Sequence, residues 1–471
     1  MAGFDHFDED DQGPVPNRHS DDDLRRFREQ LRNGEKDINN TEALEEIIQF
    51  YFDHEQYDEA LHFCDRLLSF EPYSADAWQR RGMILNNLFR YEDALASYEK
   101  ALGLNPSDPE ILVNRGITLD NLNRVNEALA SFEAALELDP DHEEALFHKG
   151  VTFEKQERFQ EAVETFLSIT RLDPEHYDSW YELGYCYDYL DRPEDAVRSY
   201  DEHLKGDPYN FNAWYNRGIV LSRMGNYTKG IESYDYALAV KEDFPSAWYN
   251  KGNAYANIGR LYDAIECYKK TLDLDPTDVP AWHNLGNAYE ELSLFQDAIN
   301  CFSKAIEHDP AHYESFFARG SCYDATEQAR KALGDYKKAL AISNDYPELW
   351  YARADCEYNL GLYEDCLASY RILLKLDPDN YEAWFDFGDT LQELGRVHEA
   401  VDALTRSIQL EPKYAPAHYS LMKTYLHMRK RAQAVEALEH AIELDAQFRD
   451  VVADEFPALV KSKDFGPLLS K

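Results

Sequence analysis

Asn216, Asn250 and Asn284 stand 34 residues apart, and Asn114 lies on the same spacing three intervals earlier. A primary amide carries donors and an acceptor, so a row of amides on one surface can hold an extended peptide backbone without reading its side chains. Asn253 and Asn287 repeat the interval three residues further on, and Asn86, Asn87, Asn121 and Asn257 follow close behind. A second row is aromatic or imidazole: Phe147, Tyr181, Tyr215, Tyr249, His283, Phe317, Tyr351, Phe385 and Tyr419, again at 34-residue intervals. Such rings accept apolar or cationic side chains, or they fill space between neighbouring helices; the spacing is compatible with both. Acid recurs on one 34-residue phase at Asp120, Glu154, Asp188, Glu290 and Asp324, with Glu291 adjoining, and on a second phase at Asp355 and Asp389. Carboxylates beside tyrosines can receive lysine or arginine, or simply stand solvated.

Bond-making chemistry has no comparable signature. The chain has no phosphate-cradling glycine loop, HExxH helix or nucleophile elbow, so an enzyme is not expected. His308 and His312 flank Asp309 in a turn, a poor metal site, and no metal or cofactor is expected. The seven cysteines are scattered without paired spacing, several at recurring intervals (Cys186, Cys322 and Cys356; Cys267 and Cys301). That pattern suits packed thiols in a reducing compartment.

The elements that must position these rows follow from the same period. All seven tryptophans, Trp78, Trp180, Trp214, Trp248, Trp282, Trp350 and Trp384, lie at whole multiples of 34 from one another. A fixed period of this size means one supersecondary unit copied many times. With Thr41 as position 1, twelve units run without insertion to Phe448. Position 8 is glycine in nine units, position 20 alanine in ten, position 24 aromatic in nine and position 32 proline in nine. Each unit holds two apolar-periodic stretches of helix length. Small residues at positions 8 and 20 let the two axes approach, and large ones at positions 4 and 24 fill the flanks. Proline at position 32 ends the second helix, often as the second residue of an Asp-Pro turn. One unit cannot bury its apolar face alone, so stacking must supply the core.

The unit SAWYNKGNAYANIGRLYDAIECYKKTLDLDP (246–276) and its neighbour PAWHNLGNAYEELSLFQDAINCFSKAIEHDP (280–310) resemble the tetratricopeptide (TPR) repeat. The resemblance covers 41–448, with local departures: Gly230 and Glu242, Asn344, Ala354 and Cys366, and Ile48 and Met422 at the glycine position of the terminal units. It implies an all-α, right-handed superhelical solenoid of twelve 34-residue helix-turn-helix repeats with terminal capping helices. Residues 1–22 are expected to be a disordered acidic tail and 23–40 an N-terminal capping helix. Residues 449–471 are expected to form a C-terminal capping helix through Val451, Val452, Phe456, Leu459 and Val460.

The resemblance also places positions 2, 5, 6, 9, 12 and 13 on or near the concave surface. The expected peptide-binding set is Asn114, Tyr181, Tyr215, Asn216, Tyr249, Asn250, Asn253, His283, Asn284 and Asn287. Its amides are similar to the asparagine ladder in the TPR superhelix of O-GlcNAc transferase, which grips peptide backbones; alternatively they bond only to neighbouring helices. Carboxylate-clamp binding of heat-shock chaperones, which in the family needs lysine at position 5, is not expected. Position 5 is never lysine here, and position 2 is acidic at Glu42, Asp76, Glu110, Glu144, Asp178, Glu314, Glu348 and Glu382.

Charge narrows the partners. With 90 acidic and 48 basic residues, the net charge is −42. Such a surface repels phosphate backbones and anionic lipid and attracts a basic or neutral ligand. Neither nucleic acid binding nor membrane insertion is expected, and the N-terminus has no signal-peptide pattern. The sequence therefore predicts a cytoplasmic scaffold or adaptor that binds an extended protein segment. The alternative is an assembly hub acting through its convex face, its ends or self-association.

Overall fold

The computed structural model describes residues 41–469; the expected acidic tail and N-terminal capping helix lie outside them. The described chain is all α-helix and turn, and each of the twelve repeats is built to one template. Positions 1–13 form a first helix and positions 17–30 a second, as in Pro245–Asn257 with Leu261–Leu274 and Val279–Glu291 with Phe295–His308. By contact the chain forms two compact units, Met1–Leu221 and Ser222–Lys471, the division falling within the helix Phe211–Arg223 of repeat 6. Within each unit the two helices of a hairpin pack on each other, and the second packs on the first helix of the next repeat.

The hairpin is closed by a space that glycine leaves. At Gly82, Gly116, Gly150, Gly184, Gly252, Gly286 and Gly320 the position-24 ring lies where a Cβ would stand, within 2.4–2.7 Å at its nearest carbon. These rings are almost wholly buried, as are Ala60, Ala94, Ala128 and the other position-20 alanines. Where position 8 is large, position 24 is not aromatic: Ile48 meets Cys64, and Met422 meets Leu438, all buried.

The turn between the helices has one feature that composition hides. Position 15 has a positive φ in every repeat, although it is glycine only at Gly225, Gly259, Gly361 and Gly395; the others include Phe89 (φ 58°) and Asn123 (φ 59°). The next N–H then reaches back to position 11, as in Arg90 to Leu85 at 2.8 Å, which satisfies a carbonyl that the helix end would leave unpaired. Between repeats, the aspartate before proline accepts the N–H two residues on, as in Asp173 to Glu175 at 2.8 Å. Each tryptophan Nε1 donates to the position-32 carbonyl of the preceding repeat at 2.8–3.0 Å.

The C-terminal cover is three short helices, Phe448–Glu455, Pro457–Val460 and Gly466–Leu469, not the single helix expected. Pro457 ends one segment, having no N–H to continue it. Val452, Phe465 and Leu469 are buried against Tyr419, Met422 and Leu438 of repeat 12, while Val451 faces outward.

Candidate functional site: the first-helix face

First helices of successive repeats touch one another within each unit, so residues on their outer face form a continuous surface. In the unit Ser222–Lys471 the surface centres on repeats 7 and 8. Tyr268 OH donates to Asn253 Oδ1 at 2.8 Å. Asn284 Nδ2 donates to the same oxygen at 2.9 Å and to Tyr249 OH at 3.0 Å. This network fixes the Asn284 amide with both N–H groups used and its carbonyl left as an acceptor, while Asn253 keeps its N–H donors. Asn250 is half-buried on the same helix and Asn287 is exposed. His283 Nδ1 meets Ser315 Oγ at 3.0 Å, and its ring lies 5.1 Å from His312. Burial, with the neighbouring His312, holds His283 down at about 4, so it is neutral at pH 7. His312 is itself a helix cap, its Nδ1 accepting the Ser315 N–H at 3.2 Å.

In the unit Met1–Leu221, Asn216 Nδ2 donates to Tyr181 OH at 3.2 Å, the same pairing as Asn284 with Tyr249. Tyr215 is half-buried beside it. Asn114 is turned along its own helix, donating to Glu110 O at 2.9 Å, and stands apart from the amide pairs. Near Tyr181, Glu154 and Glu182 share a partly buried position on the first helices of repeats 4 and 5. Burial pushes both carboxyls upward, and repulsion by Glu154 raises Glu182 further.

The position-5 rings divide between the two readings left open by their spacing. The rings pack, T-shaped or tilted, against the position-24 ring of the same repeat: Phe147 on Phe166 at 5.7 Å, Tyr181 on Tyr200 at 5.9 Å, Tyr249 on Tyr268 at 6.0 Å, His283 on Phe302 at 5.4 Å. The hydroxyls of Tyr181, Tyr249 and Tyr351 instead reach position 6 of the next repeat. Several acids are also tied between repeats. Asp120 accepts Thr152 at 3.2 Å and pairs with Lys155 at 2.5 Å, and Asp389 accepts Ser420; Asp324 accepts Tyr336 OH of its own repeat at 2.8 Å. The recurring position-10 cysteines belong to this pattern: Cys186 Sγ lies 4.0 Å from Glu154 Oε2. All seven cysteines are buried and unpaired, and burial is the chief cause that pushes the Cys64 thiol up to about 12.

Two position-5 tyrosines pair with acid rather than amide, Tyr419 with Glu455 and Tyr351 with an acid of the next repeat. Tyr351 OH donates to Asp386, and burial, with Asp389, Asp355 and Glu382 adding repulsion, raises Asp386 to about 6. A carboxyl raised above its unfolded value of 3.8 stabilises the fold only at low pH, and that contribution is lost as pH rises through about 6. Asp386→Asn copies the pairing of repeats 5–6 and 7–8 without the charge. It should raise stability by about 1–3 kcal/mol at pH 8 and by clearly less at pH 5, read as urea midpoints. An equal gain at both pH values would refute this.

Among the described residues no helix is long and apolar enough to cross a membrane. Family models described as tetratricopeptide repeat match residues 75–108, 245–278 and 279–312, 113–175 and 153–213, 347–390, and 211–244, 381–414 and 415–448. Single-repeat matches at 75, 211, 245, 279, 381 and 415 start on the 34-residue phase read from the tryptophans. No curated protein sequence matches the chain. Among solved structures it is similar to MamA (23% identity, 34% of this chain and 95% of that one, TM-score 0.34). It is also similar to YrrB, described as a TPR protein with an unusual peptide-binding site (22%, 42% and 99%, TM-score 0.37), and to the APC/C hetero-tetramer Cut9-Hcn1 (14%, 92% and 96%, TM-score 0.38).

Proposed function

The chain belongs to the tetratricopeptide repeat family, and from that premise we propose that it is a protein-interaction scaffold whose first-helix face takes an extended basic or neutral protein segment. The observation that carries this reading is the oriented amide network of repeats 7 and 8. Asn284 presents an acceptor and Asn253 presents donors, both held in place by Tyr249 and Tyr268. A peptide backbone offers the complementary N–H and C=O, and fixing the amides beforehand lowers the ordering cost of binding. Asn250 and Asn287 extend the contact on the same helices, and Asn216 with Tyr181 and Tyr215 offers the equivalent contact in the other unit. The acid on this face favours lysine and arginine in the ligand and disfavours carboxylates.

The test uses an array of immobilised twelve-residue peptides, basic, neutral or acidic, probed with the whole chain. Basic and neutral peptides are expected to retain it and acidic ones to fail. Combining Asn216→Ala, Asn250→Ala and Asn284→Ala removes hydrogen bonds of about 0.5–1.5 kcal/mol each. Retention should weaken roughly tenfold or more while helical circular dichroism stays constant. Unchanged retention by the triple variant would count against the amide mechanism, and preferential capture of acidic peptides against the charge argument.

A further inference from the structure

On the second helices, position 25 is where an acid meets the following repeat. Asp65, Glu133, Asp201 and Asp235 stand there and pair with the next position-7 cation, Arg81, Lys149, Arg217 and Lys251, at 2.6–3.3 Å. Repeats 9 and 10 invert this: position 25 is Lys337 in one and Arg371 in the other. The position-7 residue that follows Lys337 is a second cation, Arg353, which pairs with Glu357 of its own helix at 2.9 Å. Arg371 is followed by Phe387, and its guanidinium lies 5.9 Å from that ring. Neither Lys337 nor Arg371 forms an ion pair among the described residues. Glu399, whose carboxyl Arg371 helps to lower, is held by Arg396 at 2.6 Å.

The exposed positions beside them continue the inversion. Positions 25, 26 and 29 share one side of a helix. They are Lys337, Lys338 and Ala341 on Ala329–Ile342, and Arg371, Ile372 and Lys375 on Tyr363–Leu376, all exposed. Four cations and no acid stand there, in a chain of net charge −42. The acid nearby is engaged or marginal. Asp335 is buried and held by Arg319 at 2.7 Å, with Lys338 at 3.9 Å. Glu307 pairs with Lys304, Asp379 with Arg406 and Glu364 with Arg396. Asp365 and Asp402 lie toward the helix starts, and Asp345 and Asp377 in the turns beyond the helix ends. Cations favour the last turn of a helix, which accounts for Lys375 alone; Lys337 and Arg371 lie further in and forgo the ion pair that other junctions use.

The exposed Ile372 among these cations, with Ile342 and Leu376 also exposed, calls for an anionic partner that brings an apolar side chain. A long polyanion or an anionic membrane surface meets the repulsion of the whole chain, whereas a docked protein element responds chiefly to charges within about 8 Å at physiological salt. Exposed ion pairs are individually weak, so a short flexible acidic peptide loses in ordering what it gains in pairing. A preformed helix presents its carboxylates already ordered. We propose that the second-helix face of repeats 9 and 10 docks an acidic amphipathic helix of a protein partner, its carboxylates on Lys337, Lys338, Arg371 and Lys375 and an apolar side chain on Ile372. This surface is separate from the amide network of repeats 7 and 8 and selects the opposite charge, so one chain can join a basic segment to an acidic partner.

The probe is a fluorescent peptide of about 28 residues, long enough to hold a helix in water, built of glutamate and alanine with leucine at heptad spacing. Titrated with the whole chain and read by anisotropy, it should bind, and Lys337→Glu with Arg371→Glu should weaken it roughly tenfold or more. The same charge change at Lys100 and Lys205, on the second helices of repeats 2 and 5, should leave the affinity within about twofold, because distant charges are screened. Lys337→Glu restores the acid that other junctions place before a position-7 cation, so its urea midpoint should hold or rise. Absence of binding, equal weakening by the two double variants, or a lower urea midpoint for Lys337→Glu would overturn the proposal. So would retention of anionic phospholipid vesicles or RNA that depends on Lys337 and Arg371, since the surface would then read phosphate.

Discussion

Gly286→Ile should destabilise repeat 8 by about 3 kcal/mol, and adding Phe302→Cys should recover most of that loss. A Cβ at Gly286 would lie 2.5 Å from Phe302 Cε1, and the Phe302 ring is fully buried, with no open space to move into. Overpacking of a rigid core costs about 1–3 kcal/mol or more. Phe302→Cys alone leaves a void where a fully buried ring stood, at a cost of about 3 kcal/mol. Together the two changes reproduce the Ile48 and Cys64 pair, which the chain already uses with both residues buried. A double-mutant cycle on urea midpoints should therefore show a coupling of roughly 2 kcal/mol or more. Strict additivity of the two losses would mean that ring and glycine do not share one volume. Ala354 against Tyr370 sets the intermediate case, so Gly286→Ala should cost less than Gly286→Ile.

This pair also shows what was legible in the sequence. Repetition made positions 8 and 24 visible, and helix length and phase followed, so the boundaries of every hairpin are those the tryptophan spacing implies. Position 15 was not legible. Its left-handed backbone is held by the returning hydrogen bond to position 11, which acts on main-chain atoms, so Phe89, Glu55 and Asn123 occupy it as readily as glycine. Glycine, Asn123, Asp191 and Ser293 mark the turn in only seven of the twelve repeats.

The equivalence of the position-5 residues was legible in the sequence, but not the direction of their side chains. A 34-residue interval fixes that Tyr181, Tyr249 and Tyr351 are equivalent, whether their rings face a groove or a core. The structure shows that ring and hydroxyl do different things: the ring packs edge-on or tilted inside its own repeat and the hydroxyl crosses to the next. The signal that could have shown this is a pairing across repeats. Position 5 tyrosine followed 35 residues later by Asn216, Asn284 or Asp386 is a hydrogen-bonding couple. Position 12 acid followed by a position-10 hydroxyl or thiol is another, as with Asp120 and Thr152 or Glu154 and Cys186. Reading each repeat against the consensus hides such couples, because each half belongs to a different copy.

The tryptophans give the second large effect. Trp282→Ala should cost about 3 kcal/mol, Trp282→Leu somewhat less, and Trp282→His less again. Volume alone explains why position 4 is large, and loss of a packed indole supplies most of the alanine penalty. It does not explain why the residue is tryptophan seven times. In each case Nε1 meets the carbonyl that closes the preceding repeat, and the bond persists where that carbonyl belongs to Glu242 or Asn344 instead of proline. The partner is therefore the backbone of the turn, and its carbonyl needs a donor that leucine cannot provide. His418 fills position 4 of repeat 12 with a smaller ring and keeps the bond, Nε2 lying 3.1 Å from Pro412 O. Trp282→His transplants that solution into repeat 8, and its advantage over leucine, about 1 kcal/mol, isolates the hydrogen bond from the packing. Equal urea midpoints for the histidine and leucine variants would show that the indole serves by bulk alone, and the recurrence of tryptophan would then need another cause.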